Sequence, residues 1–189
     1  MFNILLDEYP EEWNGYALNT DFRIGIMMTL ASADPNLSER EKAKAIINLL
    51  FKGEIPTPKE AFECIQWFLN GWQHDHHGKG GGSSAMDFNI DQGRIYSAFM
   101  SQYKIDLNRE DMHFWKFMYL LTNLEECSFT RVIDIRTKKL NGKMSSEERK
   151  HYTNMKRIFA INVEKEKTEE EKQAEEDVTN TFLQYIGKR

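Results

Sequence analysis

Three copies of one helix-start signal constrain the fold of this chain more than any other feature of its sequence. In each copy a Ser or Thr stands three residues before a Glu: Ser38 before Glu41, Thr57 before Glu60, and Ser145 before Glu148. In such a capping box the hydroxyl accepts a hydrogen bond from the amide of the Glu, and the carboxylate accepts one from the amide of the Ser or Thr. Apolar residues at helical spacing follow each signal, so the sequence predicts three widely separated helices.

Four further apolar stripes predict helices whose start signals are weaker. The expected capping residues are Thr20 or Asn19, then Asn89 and Asp91, then Asn108, and finally Ser128. Asp111 is expected near the start of the third of these helices, where a negative charge suits the helix dipole. No two alternating apolar runs are joined by a hairpin signal. We therefore expect an all-α protein: a single helical domain of six to eight helices with a long or tethered charged C-terminal helix.

Composition divides the chain into a core domain and an extension. Residues 1–160 are expected to form the helical core domain, with a disordered His- and Gly-rich loop at 73–86. Residues 161–189 are expected to form a charged helical extension with an amphipathic end. Four apolar residues at that end are candidates for binding a partner: Val178, Phe182, Tyr185 and Ile186. The alternative, that this segment packs back on the domain, stays open.

The loop contains two patterns that resemble cofactor sites. The run His74–His77, His-Asp-His-His, offers ligands that suit zinc or nickel, but they occupy consecutive positions beside a Gly run. The segment Gly78–Ser84 contains Gly, Lys and Ser in an order that differs from that of a phosphate-binding loop, and no strand precedes it. We therefore expect a solvated loop, with no metal and no cofactor.

Signatures of catalysis are missing from the sequence. Neither His113 nor His151 has a nucleophile beside it, and neither Gly-x-Ser-x-Gly nor His-Glu-x-x-His occurs. Catalytic triads also assemble from distant positions, so an enzyme remains the alternative. We expect a binding or assembly protein that has no catalytic residues.

Aromatic residues concentrate in the run His113–Phe117 and at Trp67, Phe68 and Trp72. They recur three and four positions apart, and the chain has a formal charge of -5. Core packing therefore explains them better than base stacking does, and we expect no nucleic acid partner.

Charge and hydropathy also argue against a membrane. The chain shows no basic leader and no apolar run long enough to span a bilayer. We therefore expect a protein of the cytosol that has no membrane partner.

The cysteines and three of the arginines are expected to have structural roles. Cys64 and Cys127 lie in apolar patterns and are expected to be buried, reduced thiols. The arginines are expected to pair with carboxylates: Arg94, Arg131 and Arg136 with residues such as Asp21, Asp106 or Asp134.

Four blocks of the sequence occur in an order that resembles a known family. They are Tyr16–Arg23, Gln102–Leu107, Met112–Leu121 with its His-Phe-Trp-Lys-Phe centre, and Phe129–Arg136. Together they resemble the tailed-phage "gene product fifteen" family over roughly residues 1–160. The chain departs mildly from that pattern, with Phe114 where Trp is common and Lys104 where Gly is common.

The resemblance implies a protein of phages and prophages of Gram-positive bacteria, encoded between the major tail protein and the tape-measure protein. It implies a tail assembly chaperone that binds the tape-measure protein and keeps it soluble in the host bacterial cytoplasm before tube polymerisation. Other tail assembly proteins, or a second copy of the chain, are further expected partners. The alternative is a structural connector or minor tail component that stays in the virion. The family has no established catalytic residues to carry over.

Overall fold

A computed structural model describes residues 2–72, 85–142 and 144–161 of the 189-residue chain. Met1–Phe159 form one compact unit. The described residues form, in chain order, β1 (Glu12–Trp13), β2 (Tyr16–Ala17), α1 (Phe22–Ala33), α2 (Glu39–Leu50), α3 (Pro58–Asn70), α4 (Phe88–Ala98), a π-helical turn (Phe99–Tyr103), α5 (Phe114–Thr122), α6 (Ser128–Thr137) and α7 (Ser146–Ile158). The prediction of a single all-α domain is confirmed.

The three capping boxes are present, and they start α2, α3 and α7. The Ser38, Thr57 and Ser145 amides donate to the carboxylates of the glutamates three residues later, at 2.9, 3.1 and 2.8 Å. In all three boxes, hydrogen bonds from the capping residue lower the pKa of the glutamate below its usual value. These starts depend on residues three apart in sequence, so local pattern is sufficient to place them.

The four weaker start predictions are wrong in position. The residues that precede the observed helices are Asp21, Asp87, His113 and Cys127, in place of Thr20 or Asn19, Asn89 and Asp91, Asn108, and Ser128. In α1, for example, the Asp21 carboxylate accepts a hydrogen bond from the Arg23 amide at 2.9 Å. Asp111 lies in the loop before α5 and not in its first turn, and 93% of its side chain is exposed. Several adjacent polar residues can cap each of these helices, and tertiary contacts decide between them.

One hairpin occurs among the described residues, although no alternating apolar runs predicted it. β1 and β2 pair in antiparallel fashion through Asn14 and Gly15, which both adopt positive φ, 49° and 86°. Asn-Gly is the preferred pair for a type I′ turn because both central residues require positive φ. Each strand has only two residues, which is too short for alternation to be recognised in the sequence.

The core is built around α5, whose aromatic residues are almost completely buried. Phe117 is fully buried and stacks between Phe22 and Phe99, with ring centroids 4.9 and 5.2 Å away. Trp115 is 1% exposed, and its indole Nε1 donates to the Phe68 carbonyl at 2.7 Å. The interpretation of the His113–Phe117 run as core is therefore confirmed for its aromatic residues.

The chain turns after α4 through a residue in the left-handed region. Lys104 ends the π-helical turn with φ 59° and ψ 26°, and its amide donates to the Phe99 carbonyl. A side chain costs free energy in this conformation, whereas Gly does not clash. Lys104 therefore occupies a backbone position that favours Gly.

Candidate functional site

An apolar groove with a volume of about 500 Å³ lies between α1 and α4. α1 contributes Phe22, Ile26 and Leu30, which share one face because they are spaced four residues apart. α4 contributes Ile95, and α5 contributes Phe117. Phe22, Ile95 and Phe117 are buried, so they form a packed floor, while Ile26 and Leu30 stay half-buried on the wall. The groove can therefore receive apolar side chains from outside the domain.

Gly93 keeps the α4 side of the groove open. It lines the groove in the middle of a helix, and a Cβ built there has no described atom within 4 Å. Ile90, one helical turn earlier, leaves 46% of its surface exposed. Glycine within a helix lowers helix stability by about 1 kcal/mol relative to Ala. The absence of a side chain at Gly93 therefore leaves this part of the groove unobstructed.

The rim of the groove is polar but mostly uncharged. Asn89, Gln92 and Asn108 border it, and the Tyr96 hydroxyl donates to the Asp106 carboxylate at 3.2 Å. Among the described residues that line the groove, Arg23 is the one cation. A polar rim around an apolar floor is the usual arrangement of a protein–protein contact surface.

Arg23 is held in place by four hydrogen bonds. Its Nη1 donates to the carboxylates of Asp21 and Asp111 at 3.0 and 3.1 Å. Its Nη2 donates to the carbonyls of Leu107 and Glu110, both at 3.0 Å. The guanidinium thus joins the start of α1 to the loop before α5.

A second, acidic cavity of about 780 Å³ is lined in part by the carboxylate partners of Arg23, Asp21 and Asp111. Its lining includes four carboxylate residues and one Lys: Glu8, Glu11, Asp21, Asp111 and Lys52. The Glu8 and Glu11 carboxylates make no hydrogen bond or ion pair with any described residue. The cavity is therefore a region of negative potential beside the groove.

His113 forms the inner wall of the acidic cavity as a neutral imidazole. Its Nδ1 accepts a hydrogen bond from the Trp115 amide at 3.1 Å, and its Nε2 lies 3.1 Å from the Pro10 carbonyl. A proton on Nε2 alone satisfies both contacts. Burial lowers the pKa of His113 to about 4, against the smaller opposing effects of the Pro10 carbonyl and Glu11. The structure thus assigns His113 a capping role.

A buried ion pair joins α4 to α6 below the groove. The Asp91 side chain is fully buried, and Arg136 donates to its two carboxylate oxygens at 2.6 and 3.0 Å. Burial would raise the pKa of Asp91, but hydrogen bonds from Arg136 and the Asp87 amide, with the charges of Arg136 and Arg94, lower it overall.

The carboxylates that these arginines contact are not the expected ones. Arg94 and Arg136 both pair with Asp91, and Arg131 pairs with Glu126. The expected partners Asp21, Asp106 and Asp134 were therefore wrong. Asp91 lies one turn into α4, where its sequence position suggested a cap, and only the tertiary fold brings α6 against it.

The candidate partner-binding residues Val178, Phe182, Tyr185 and Ile186 lie outside the described residues, as does the His74–His77 run. Two residues of the predicted 73–86 loop are described: the Ala85 carbonyl accepts from Arg136 at 3.0 Å, and Met86 packs against the core. The predictions about the C-terminal segment and the His74–His77 run therefore remain predictions.

The two cysteines differ in their surroundings. Cys64 is a fully buried free thiol in α3, as expected, and burial raises its pKa to about 12. Cys127 is also a free thiol but is only half-buried, because it precedes α6 and does not lie within a helix. Its amide donates to the Thr130 hydroxyl at 2.9 Å.

The groove could not be predicted from the sequence, because its lining comes from four separate segments of the chain. The α1 stripe is visible in the sequence, but an apolar stripe indicates only that a helix packs against something. The one local signal is Gly93 inside an otherwise helical pattern, since such a glycine often has a packing or functional reason.

Two further features of the described chain concern metals and membranes. In the ranges 2–72, 85–142 and 144–161, no group of three or more His, Cys, Asp or Glu residues is arranged to hold a metal ion. Over the same ranges, no helix is both long and apolar enough to cross a membrane.

Comparison with known families identifies the family to which this chain belongs. The chain matches the family described as Bacteriophage Gp15 protein over residues 5–161. It is therefore a member of that phage protein family, and the resemblance seen in the sequence is confirmed. No curated protein and no solved structure matches the chain.

Proposed function

We propose that this protein is a non-enzymatic tail assembly chaperone, which binds the phage tape-measure protein in the host bacterial cytoplasm before tube polymerisation. Membership of the phage family supports a role in phage production. The observation that carries the finer proposal is the apolar groove between α1 and α4, with its buried aromatic floor and polar rim.

The groove suits the problem that a tape-measure protein presents. A long helical chain exposes apolar stripes until tube subunits surround it, and exposed apolar stripes promote aggregation. Amphipathic helices bind such grooves by inserting residues at positions i, i+3, i+4 and i+7. Each large apolar side chain that is fully buried contributes about 1.5–3 kcal/mol. Two or three inserted residues therefore give reversible binding, as a chaperone that must release its client requires.

Co-expression with the tape-measure protein of the same phage tests the proposal. We expect the soluble fraction of tape-measure protein to rise and the two proteins to co-purify. Gly93→Trp fills the groove and should abolish co-purification. Gly93→Ala places only a methyl group in open space, so it is the matched control and should retain binding. Thermal unfolding of both variants establishes that they are folded.

Different failures contradict different parts of the proposal. Tape-measure protein that stays insoluble and never co-purifies with the wild-type chain contradicts the chaperone function. Full binding by a folded Gly93→Trp variant would show that tape-measure protein binds a surface other than the groove. Mass spectrometry of purified virions separates the alternative: a chaperone is absent from the particle, whereas a connector or minor tail component is present.

A further inference from the structure

The groove and the acidic cavity are lined by residues that are adjacent in sequence and joined by ion pairs. Asp21 lines the cavity and Phe22, the next residue, lines the groove. Arg23 lines the groove, and its guanidinium contacts Asp21 and Asp111, which line the cavity. One extended ligand can therefore reach both at once, with its apolar part at one end and its polar part at the other.

The charges that line the acidic cavity indicate which polar groups the ligand should carry. Arg23 compensates Asp21 and Asp111 through ion pairs at 3.0 and 3.1 Å. Glu8 and Glu11 are exposed, and no described residue forms an ion pair with either. Lys52 lines the same cavity and offsets one of these two charges, so the lining keeps a net negative charge, which attracts a cation and repels an anion.

We infer that the groove binds a basic amphipathic helix, whose apolar stripe lies between α1 and α4 and whose Lys or Arg residues lie over the acidic cavity. This inference rests on the proposed chaperone function and specifies which helices of the client are bound. The apolar floor provides most of the affinity, and the carboxylates select segments by charge and set the direction of the helix. A client segment that is equally apolar but ends in acidic residues is rejected.

Two synthetic helical peptides with the same apolar stripe test this inference, one ending in three Lys and the other in three Glu. Their affinities are measured by fluorescence anisotropy at 50 mM and 300 mM NaCl. We expect the Lys peptide to bind about tenfold more tightly at low salt. The difference should shrink at 300 mM NaCl, because salt screens exposed charges.

Two double variants with the same change in net charge locate the effect. Glu8→Gln/Glu11→Gln should reduce the preference for the Lys peptide to about threefold or less. Glu63→Gln/Glu147→Gln removes two carboxylates outside the cavity lining and should leave the preference unchanged. Gly93→Trp should weaken binding of both peptides, because it obstructs the apolar part.

The outcomes separate this inference from the chaperone function. Equal affinity for the two peptides at low salt overturns the inference, as does a Glu8→Gln/Glu11→Gln variant that retains the full preference. If neither peptide binds but tape-measure protein co-purifies, the inference fails and the chaperone function stands. If tape-measure protein does not bind either, both fail.

Discussion

Arg136 connects three parts of the domain through one side chain. Its guanidinium binds the fully buried Asp91 of α4, the Ala85 carbonyl before α4, and the Phe159 carbonyl after α7. Its own carbonyl accepts a hydrogen bond from Lys156 at 2.7 Å. These contacts position α4, which forms one side of the groove, so the geometry of the groove depends on a residue that does not line it.

Replacing Arg136 should therefore destabilise the domain strongly. Arg136→Met leaves the Asp91 carboxylate buried without its principal partner, and such a change costs about 3–5 kcal/mol. Arg94→Met is the matched control, because Arg94 pairs with the same carboxylate but its side chain is 30% exposed; its cost should be about 1 kcal/mol or less. Urea unfolding measures both, and equal small losses would contradict a structural role for Arg136.

His113 should make stability depend on pH. The pKa of His113 is about 4 in the folded protein, against an ordinary value of 6.5. The unfolded chain therefore binds a proton at this position before the folded protein does, so stability is complete above pH 6.5 and falls as the pH drops towards 4. Allowing for partial exposure, the loss is about 1–3 kcal/mol.

The variant His113→Asn tests the assignment of this pH dependence. Asn can still cap α5, but it has no group that titrates in this range. Urea unfolding at pH 7.0, 5.5 and 4.5 should show a shallower decrease in the free energy of unfolding for the variant. If the free energy of unfolding of the variant decreases as much as that of the wild-type protein, other groups cause the pH dependence.

At the scale of elements, helix starts that depend on local pattern could be predicted from the sequence, whereas a start that depends on tertiary contacts could not. The three capping boxes could be recognised because each depends on two residues three positions apart. The start of α5 could not be recognised, because it depends on contacts between distant segments. The Phe114 amide donates a hydrogen bond to the Thr20 carbonyl, and the Phe22 amide donates one to the Met112 carbonyl. These contacts join segments about ninety residues apart. They hold the chain before Phe114 in an extended conformation, so α5 begins at Phe114 and not at the predicted Asn108.

Two helical glycines should respond to Ala in opposite directions. A Cβ at Gly25 in α1 would overlap the Phe114 ring of α5, so Gly25→Ala should force these helices apart and lower stability by about 1–3 kcal/mol. A Cβ at Gly93 meets open space, so Gly93→Ala should raise stability by up to about 1 kcal/mol. Thermal unfolding distinguishes the two, and a stabilising Gly25→Ala would contradict the close packing of α1 on α5.

At the scale of the whole molecule, the domain combines a rigid aromatic core with an open apolar groove. The core could be predicted from residue type, since α5 is rich in large apolar residues, and five of its nine residues are buried. The groove and its acidic neighbour could not, because they arise from how α1, α4 and the loop before α5 meet. Family membership identifies a phage protein, and the groove supports the proposal of what that protein binds.

Site-specific photo-cross-linking tests the central claim most directly. A benzophenone amino acid replaces Gln92, which is exposed at the rim of the groove, or Lys59 on α3, whose side chain is 87% exposed and does not line the groove. Bacteria producing the phage are irradiated, and mass spectrometry identifies the cross-linked proteins. We expect a product with tape-measure protein from position 92 and none from position 59. Cross-linking of position 92 only to other proteins, in cells that contain tape-measure protein, would contradict it.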